Sequence, residues 1–270
     1  MSYPINYPTP QSANVQIFQG GDSRIDGEHT ATRDWIKPQG ASFVFFTLIG
    51  GGGGGGGNYY GSSPGDRTRG GGGASGNVTN FMCPAFLIPD VLQVSVGRGG
   101  AGAAWAGADV SGASGSSGQP SQIIHQPKTG SGYVLINATG GGGGGGGVDP
   151  STAGGGGTRA AADVGGPMTA AGFYSNTRGQ NGASNAEITV DNLTFLLGGS
   201  GGTDTNEVTG YYGYKATPAV GYGQIQPIIQ SISGGLKKSP FGAGGCGANP
   251  DLASGFAPAG GDGMVIIITW

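Results

Sequence analysis

The sequence predicts a mostly β and irregular fold, in which β-strands frame packed glycine-rich segments of polyproline-II type, with little or no α-helix. Three observations carry this expectation. Glycine supplies 64 of the 270 residues, about three times its usual share. The glycine is interrupted by strongly apolar β-type runs, such as Phe43-Val44-Phe45-Phe46-Thr47-Leu48-Ile49 and Met264-Val265-Ile266-Ile267-Ile268. No stretch keeps an apolar period of 3.6 residues, and each glycine opposes helix by about 1 kcal/mol. A disordered chain lacks such apolar runs, because it cannot bury enough surface to offset the entropy of ordering.

Residues 1–34 read as an N-terminal arm or attachment segment. They carry Pro4, Pro8 and Pro10, one short strand candidate at 15–18, and an acidic stretch from Asp22 to Glu28. The glycine-rich β domain is assigned to residues 35–270. It opens at Trp35-Ile36-Lys37-Pro38-Gln39-Gly40, where Pro-Gln-Gly is a turn signal ahead of a strand.

The domain repeats one grammar: an apolar run leads straight into glycine. The run 43–49 feeds glycines 50–57, residues 133–137 feed glycines 140–147, and residues 194–197 feed the cluster 198–202. The two eight-glycine runs start 90 residues apart, which hints at duplication. Collagen is excluded, because a strict Gly-X-Y repeat is missing. Flexible linkers join domains, whereas these runs sit between strands. Extended rods with three residues per turn fit better. A lone rod has no internal hydrogen bonds, so a bundle of rods must supply partners for the buried backbone groups. The expected core is Phe43, Phe45, Val94, Val96, Val134, Ile136, Phe195, Leu197, Val265 and Ile267. Alanine replacements within 51–56 are expected to cost most where a residue faces another chain.

Charge excludes several functions. With 12 basic and 15 acidic residues and a net charge of −3, the chain has no basic stripe for nucleic acid. The two cysteines, Cys83 and Cys246, lack zinc-type spacing and read as idle buried thiols. His29 and His125, the only histidines, have no Cys, Asp or Glu at metal-ligand spacing. The glycine runs contain no Gly-Lys-Ser or Gly-Lys-Thr and are not phosphate-binding loops. Asp22, Asp66 and Asp262 read as turn residues rather than calcium ligands. No catalytic residue, cofactor or metal is expected, and the protein reads as non-enzymatic. The N-terminus lacks the basic and apolar regions of a signal peptide, and no apolar run approaches the roughly 20 residues that span a bilayer. Synthesis in the cytoplasm without membrane insertion is the expectation.

Tyr59, Tyr60, Phe173, Tyr174, Tyr211, Tyr212, Tyr214 and Tyr222 lie in glycine-, serine- or asparagine-rich text outside the apolar strands. Tyr, Ser, Gly and Asn are the usual chemistry of binding loops, combining flat amphipathic area with adaptable hydrogen bonding. These eight residues are the candidate receptor-binding set. The alternative is that they only cover the glycine layer.

Three landmarks, in order, carry a family resemblance. The run Trp35…Pro38-Gln39-Gly40-Ala41…Phe45-Phe46-Thr47-Leu48-Ile49-Gly50 is the first. Val94-Ser95-Val96-Gly97-Arg98-Gly99-Gly100-Ala101-Gly102 is the second. The ending, Gly242-Ala243-Gly244-Gly245-Cys246-Gly247…Gly260-Gly261-Asp262-Gly263-Met264-Val265-Ile266-Ile267-Ile268, is the third. Together they resemble the glycine-rich domains of bacteriophage tail and virion proteins, and are similar to glycine-rich tail-fibre adhesins. The resemblance implies that the first and last strands associate while glycine segments pack between them. It implies a virion protein assembled in the host cytoplasm, a tail-fibre or spike component contributing to host attachment. Its partners would be other virion proteins through residues 1–34 and a host surface glycan or outer-membrane protein, with homo-oligomerisation allowed. Those adhesins place variable segments near the C-terminus, whereas this chain ends on a strand. A purely architectural virion part, such as a capsid decoration or tail structural protein, is the alternative. A third alternative is an ice-binding or other extracellular glycine-rich protein, against which stands the lack of a regular Thr-bearing repeat.

Overall fold

The apolar runs form strands wherever the sequence places them, and the glycine runs continue those strands as rods. The computed structural model describes residues 13–20, 32–63, 65–104, 106–127, 131–161, 172–184, 241–248 and 257–270. Eleven strands are present: β1 (Asn14–Gln19), β2 (Thr32–Ile36), β3 (Phe43–Ile49), β4 (Tyr59–Tyr60), β5 (Arg67–Thr68), β6 (Val78–Pro84), β7 (Val91–Ser95), β8 (Ser121–His125), β9 (Tyr133–Ala138), β10 (Phe173–Thr177) and β11 (Met264–Thr269). The only helical turn among the described residues is a 3₁₀ turn at Ala85–Leu87.

Two open antiparallel sheets, β1-β11-β3-β6-β10 and β2-β7-β8-β9, face each other. Their shared core holds Trp35, Phe46, Phe81, Leu92, Val94, Ile123 and Ile267, all nearly or fully buried. Trp35 meets Phe46 edge-on, with ring centroids 5.9 Å apart. The association of the first and last domain strands is explicit, since β11 pairs with β3 from Met264↔Ile49 to Thr269↔Val44. Part of the N-terminal segment also joins this sandwich. Strand β1 pairs along β11 and places Phe18 in the core, and β2 crosses the 34/35 division to pair with β7.

Strand faces correct part of the expected core. Val94, Val96, Ile136, Val265 and Ile267 are buried, but β3 buries Val44, Phe46 and Leu48. Phe43 is 40% exposed and Phe45 half-buried, so the parity is the opposite of the expected one. Every residue of β3 is apolar or Thr, so no alternation in the sequence selects a face. The selection comes from the sheet lying beneath. Val134 is likewise exposed, because a bulge at Ile123/Ile124 shifts the β8–β9 register and aligns Val134 with Ile124. Phe195 and Leu197 lie outside the described residues. Cys83 and Cys246 are both free and buried, and burial pushes the Cys83 thiol up to about 11.

Above the sandwich stands a bundle of glycine rods. Strand β3 continues into 50–57, β7 into 97–104, β9 into 140–147 and β10 into 179–183, while 70–77, 112–119 and 257–263 return into β6, β8 and β11. The rod 50–57 is central, and its hydrogen bonds repeat every third residue. The N–H groups of Gly50, Gly53 and Gly56 donate to Asn77, Ala74 and Gly71. Those of Gly51, Gly54 and Gly57 donate to Gln119, Ser116 and Ala113, and those of Gly52 and Gly55 to Gly261 and Pro258, all at 2.8–3.0 Å. These three acceptor rods run antiparallel to it. Its carbonyls accept from three parallel rods: Gly141, Gly144 and Gly147; Gly100 and Ala103; Gly245 and Ala248.

The six neighbours also bond to one another in a closed ring. Rod 70–77 donates to 140–147 (Ala74 to Gly142), and 112–119 donates to 140–147 (Gly115 to Gly144) and to 97–104 (Ser116 to Ala101). Rod 257–263 donates to 97–104 (Gly260 to Gly100) and to 242–248 (Gly261 to Ala243), and 70–77 closes the ring onto 242–248 (Gly73 to Gly245). A three-residue repeat of bond direction is the geometry of polyproline II. Among the described glycines only Gly40, Gly107 and Gly242 have positive φ, so the rods adopt the hand that other residues also tolerate. The two eight-glycine runs lie side by side and parallel, with Gly141, Gly144 and Gly147 donating to Gly51, Gly54 and Gly57.

Close approach explains the glycine. A Cβ on Gly51 or Gly54 would fall on the carbonyl of Arg98 or Ala101, on Gly52 or Gly55 on that of Ala243 or Cys246, and on Gly53 or Gly56 on that of Gly142 or Gly145. The expected three-residue modulation within 51–56 is therefore absent, because a central rod has a neighbour in every direction. Position dependence appears in the outer rods. In 112–119 the glycines 112, 115 and 118 face inward, whereas Ala113, Ser114, Ser116, Ser117 and Gln119 are exposed.

Two outcomes follow from this packing. Each single Gly→Ala change from 51 to 56 lowers stability by at least the about 1–3 kcal/mol typical of overpacking. Gly155→Ala, whose Cβ meets nothing within 4 Å, is neutral or stabilising by up to about 1 kcal/mol. Thermal unfolding of the series reads both. In the sandwich, Phe46→Ala costs about 3–5 kcal/mol and Phe43→Ala about 1 kcal/mol, measured by denaturant titration. Equal losses would contradict the face assignment.

Candidate functional site

Each rod leaving the sandwich must turn to come back, and these turns gather at the end of the bundle farthest from the strands. Three of them are described: 58–69, 104–112 and 148–153. The first is a hairpin in which Tyr59 pairs with Thr68 and Tyr60 with Arg67. The Arg67 guanidinium lies 4.0 Å from the Tyr60 ring centroid and donates to the Tyr60 hydroxyl at 2.8 Å. Both tyrosines are half-buried.

The turns are tied to one another. Tyr60 bridges to Ala108, and the Asp109 N–H donates to the Tyr60 carbonyl at 2.8 Å. Asp109 has φ 56, a left-handed conformation that Asp tolerates better than most residues. Its carboxylate accepts from the Ser62 N–H at 3.0 Å and from the Ser62 hydroxyl. The Thr68 hydroxyl donates to the Asp149 carbonyl at 2.8 Å, and the Ser111 hydroxyl donates to the Val148 carbonyl. The Asp149 carboxylate caps its own turn, accepting from the Ser151 N–H and hydroxyl, each at 2.8 Å. These hydrogen bonds hold the Asp149 carboxyl below its usual range. The result is a braced surface of aromatic rings, hydroxyls and charges of both signs, suited to hydrogen bonding with a polar partner.

The candidate residues do not converge on one surface. Tyr59 and Tyr60 stand at this tip. Phe173 and Tyr174 lie in β10, an edge strand of the five-stranded sheet, where Phe173 is exposed and Tyr174 packs against the core. A rod of eight residues separates the two places by roughly 25 Å. Tyr211, Tyr212, Tyr214 and Tyr222 lie outside the described residues. Asp109, Ser62, Thr68 and Asp149 form the tip network but were not in the candidate set. Their only sequence signal is that short polar side chains at turns bond nearby backbone.

Asp262, considered as a turn residue, instead receives the Gly99 N–H of a neighbouring rod at 2.8 Å. Asp66 lies in the tip hairpin, where its carbonyl accepts from Gly61 N–H. His125 ends β8, and Asp22 and His29 lie outside the described residues. Among the described residues no group of three or more His, Cys, Asp or Glu side chains could hold a metal, and no helix is long and apolar enough to cross a membrane.

The Asp149 cap has a pH signature. A carboxyl whose folded pKa lies below its ordinary value stabilises the turn fully above that ordinary value and ceases to do so as pH falls through the folded pKa. The amide resonance of Ser151 therefore titrates with a midpoint below the ordinary 3.8. A midpoint at or above 3.8 in a two-dimensional NMR titration would contradict the cap.

Comparison with protein families matches residues 28–270 to the family described as Glycine-rich domain. A search of curated proteins gave no match. The match covers nearly the whole chain, including both sheets and every described rod, and the chain belongs to the glycine-rich domain family.

Proposed function

We propose that the protein is a non-enzymatic component of a bacteriophage particle, a tail-fibre or spike part that contacts the host surface through the turns at the tip of its rod bundle. The observation that carries this reading is the braced tip itself. Tyr59, Tyr60 and Arg67 are held by cross-links between three separate turns, at the end of a rigid bundle and far from the sandwich. A binding surface on loops positioned by a rigid scaffold is the usual arrangement for recognition. Low charge and abundant hydroxyls suit a neutral glycan or a protein surface better than phosphate. The sequence landmarks shared with phage tail and virion proteins support the particle.

The purified protein is expected to bind host cells and to reduce phage adsorption in competition. Replacing residues 61–66 with a short Gly-Ser turn removes both effects without unfolding the sandwich. Folded protein that neither binds nor competes would overturn the attachment role. A purely architectural particle part is the second reading, favoured by the exposed apolar side chains at the opposite end of the molecule. It expects particles carrying the tip replacement to adsorb as well as wild type.

A further inference from the structure

The end of the sandwich opposite the rods presents an apolar knob. Phe86 is 81% exposed and Leu87 stands beside it in the 3₁₀ turn, while Ile36 and Val91, a cross-strand pair, are 69% and 51% exposed. Phe43 adds a partly exposed ring, stacked on Trp270. A turn exposing Phe and Leu would relax onto the surface if it were free to do so, and this one is fixed. The Lys37 ammonium donates to the carbonyls of Ala85 and Ile88 at 3.0 and 2.9 Å and pairs with the Asp90 carboxylate at 2.8 Å. All three of its donors are thereby used. The Ala85 N–H donates to the Ser42 carbonyl, and the Lys37 N–H to the Asp90 carbonyl, both at 2.8 Å. Both ends of the turn are anchored, and Phe86 is held out in water.

We propose that this knob is the attachment point of the protein, and that it inserts into an apolar socket at the end of another particle protein. The inference rests on the particle reading above and names a partner for it. Pre-organisation of a protruding aromatic is how interface anchors gain affinity, because little ordering remains to be done on binding. Charge does not oppose an apolar socket, since Lys37 and Asp90 neutralise each other at the margin of the patch. Area and shape argue against a second copy as the occupant. The exposed apolar patch is of order 400 Å², about half of the roughly 800 Å² per partner usual for stable association. Two convex knobs meeting across a two-fold axis would leave each other's flanks wet. A concave partner that surrounds Phe86 supplies the missing area.

The test compares particles produced with the wild-type chain, with Phe86→Glu, and with the tip replacement of residues 61–66. Copy number is measured by mass spectrometry of purified particles. Wild type and tip replacement are expected at equal copy number, and Phe86→Glu is expected to fall at least tenfold. Because Phe86 is exposed, the purified Phe86→Glu chain should keep the wild-type melting temperature, which separates lost docking from lost folding. Equal incorporation of Phe86→Glu overturns the socket and leaves the particle reading standing. Particles that lack even the wild-type chain overturn both. Sedimentation velocity showing a wild-type dimer dispersed by Phe86→Glu overturns the proposal in favour of a second copy. Flotation with phosphatidylcholine vesicles that is lost in Phe86→Glu overturns it in favour of a lipid surface.

Discussion

Rod 50–57 has no side chains with which to pack, so its place in the molecule depends on backbone hydrogen bonds directed outward in three directions for donors and three for acceptors. Those bonds need neighbouring main chains so close that any Cβ would land on a carbonyl. The composition follows from that spacing. Glycine is needed wherever a rod is surrounded, and it gives way to Ala, Ser, Arg or Gln where a rod faces water, as in 97–104 and 112–119. The alternation of antiparallel and parallel neighbours has the same origin. In a chain that runs up and down, each outgoing rod is surrounded by returning rods that accept its N–H groups and by other outgoing rods that donate to its carbonyls.

Such a bundle cannot hold itself together. Fixing a backbone residue costs roughly 1–2 kcal/mol, with glycine at the upper end, while a typical hydrogen bond returns a net 0.5–1.5 kcal/mol. The rods at best break even. The deficit is met by the sandwich, where Trp35, Phe46, Phe81 and Ile123 bury large apolar surfaces. The sandwich also sets the order of the bundle, because most rods are direct continuations of strands. The junction is latched by Ser121, whose hydroxyl donates to the Ile49 carbonyl at 2.6 Å and accepts from the Gly97 N–H at 2.9 Å.

The same up-and-down path makes the molecule polar along its length. Turns between rods fall at one end, where polar residues brace one another through Asp109, Thr68 and Ser111. Turns between strands fall at the other, where Phe86 and Ile36 are exposed and Lys37 fixes the loop. A rigid shaft thus separates a hydrogen-bonding tip from an apolar base. The exposure of Phe173 on β10 belongs to the strand half and carries no geometric relation to Tyr59 and Tyr60.

Composition and pattern alone determined the class of this fold. A chain that alternates apolar β-type runs with glycine, and that has no helical period, can order itself only as strands and hydrogen-bonded extended segments, because nothing else satisfies so much backbone. The pairing of the first and last strands of the domain was legible from their landmarks, and the burial of Val94, Val96, Val265 and Ile267 from their alternation. Only the tertiary structure decided which face of β3 points inward, since seven residues without a polar marker offer no preference until a second sheet covers one side. Only it decided that residues 14–19 belong to the sandwich, that 50–57 is the central rod, and that the tip is braced by Asp109 and Thr68 while Phe173 and Tyr174 lie elsewhere. A glycine has no side chain to record which neighbour it will meet, so the arrangement of the rods is fixed by contacts between segments far apart in the chain and is absent from any one of them.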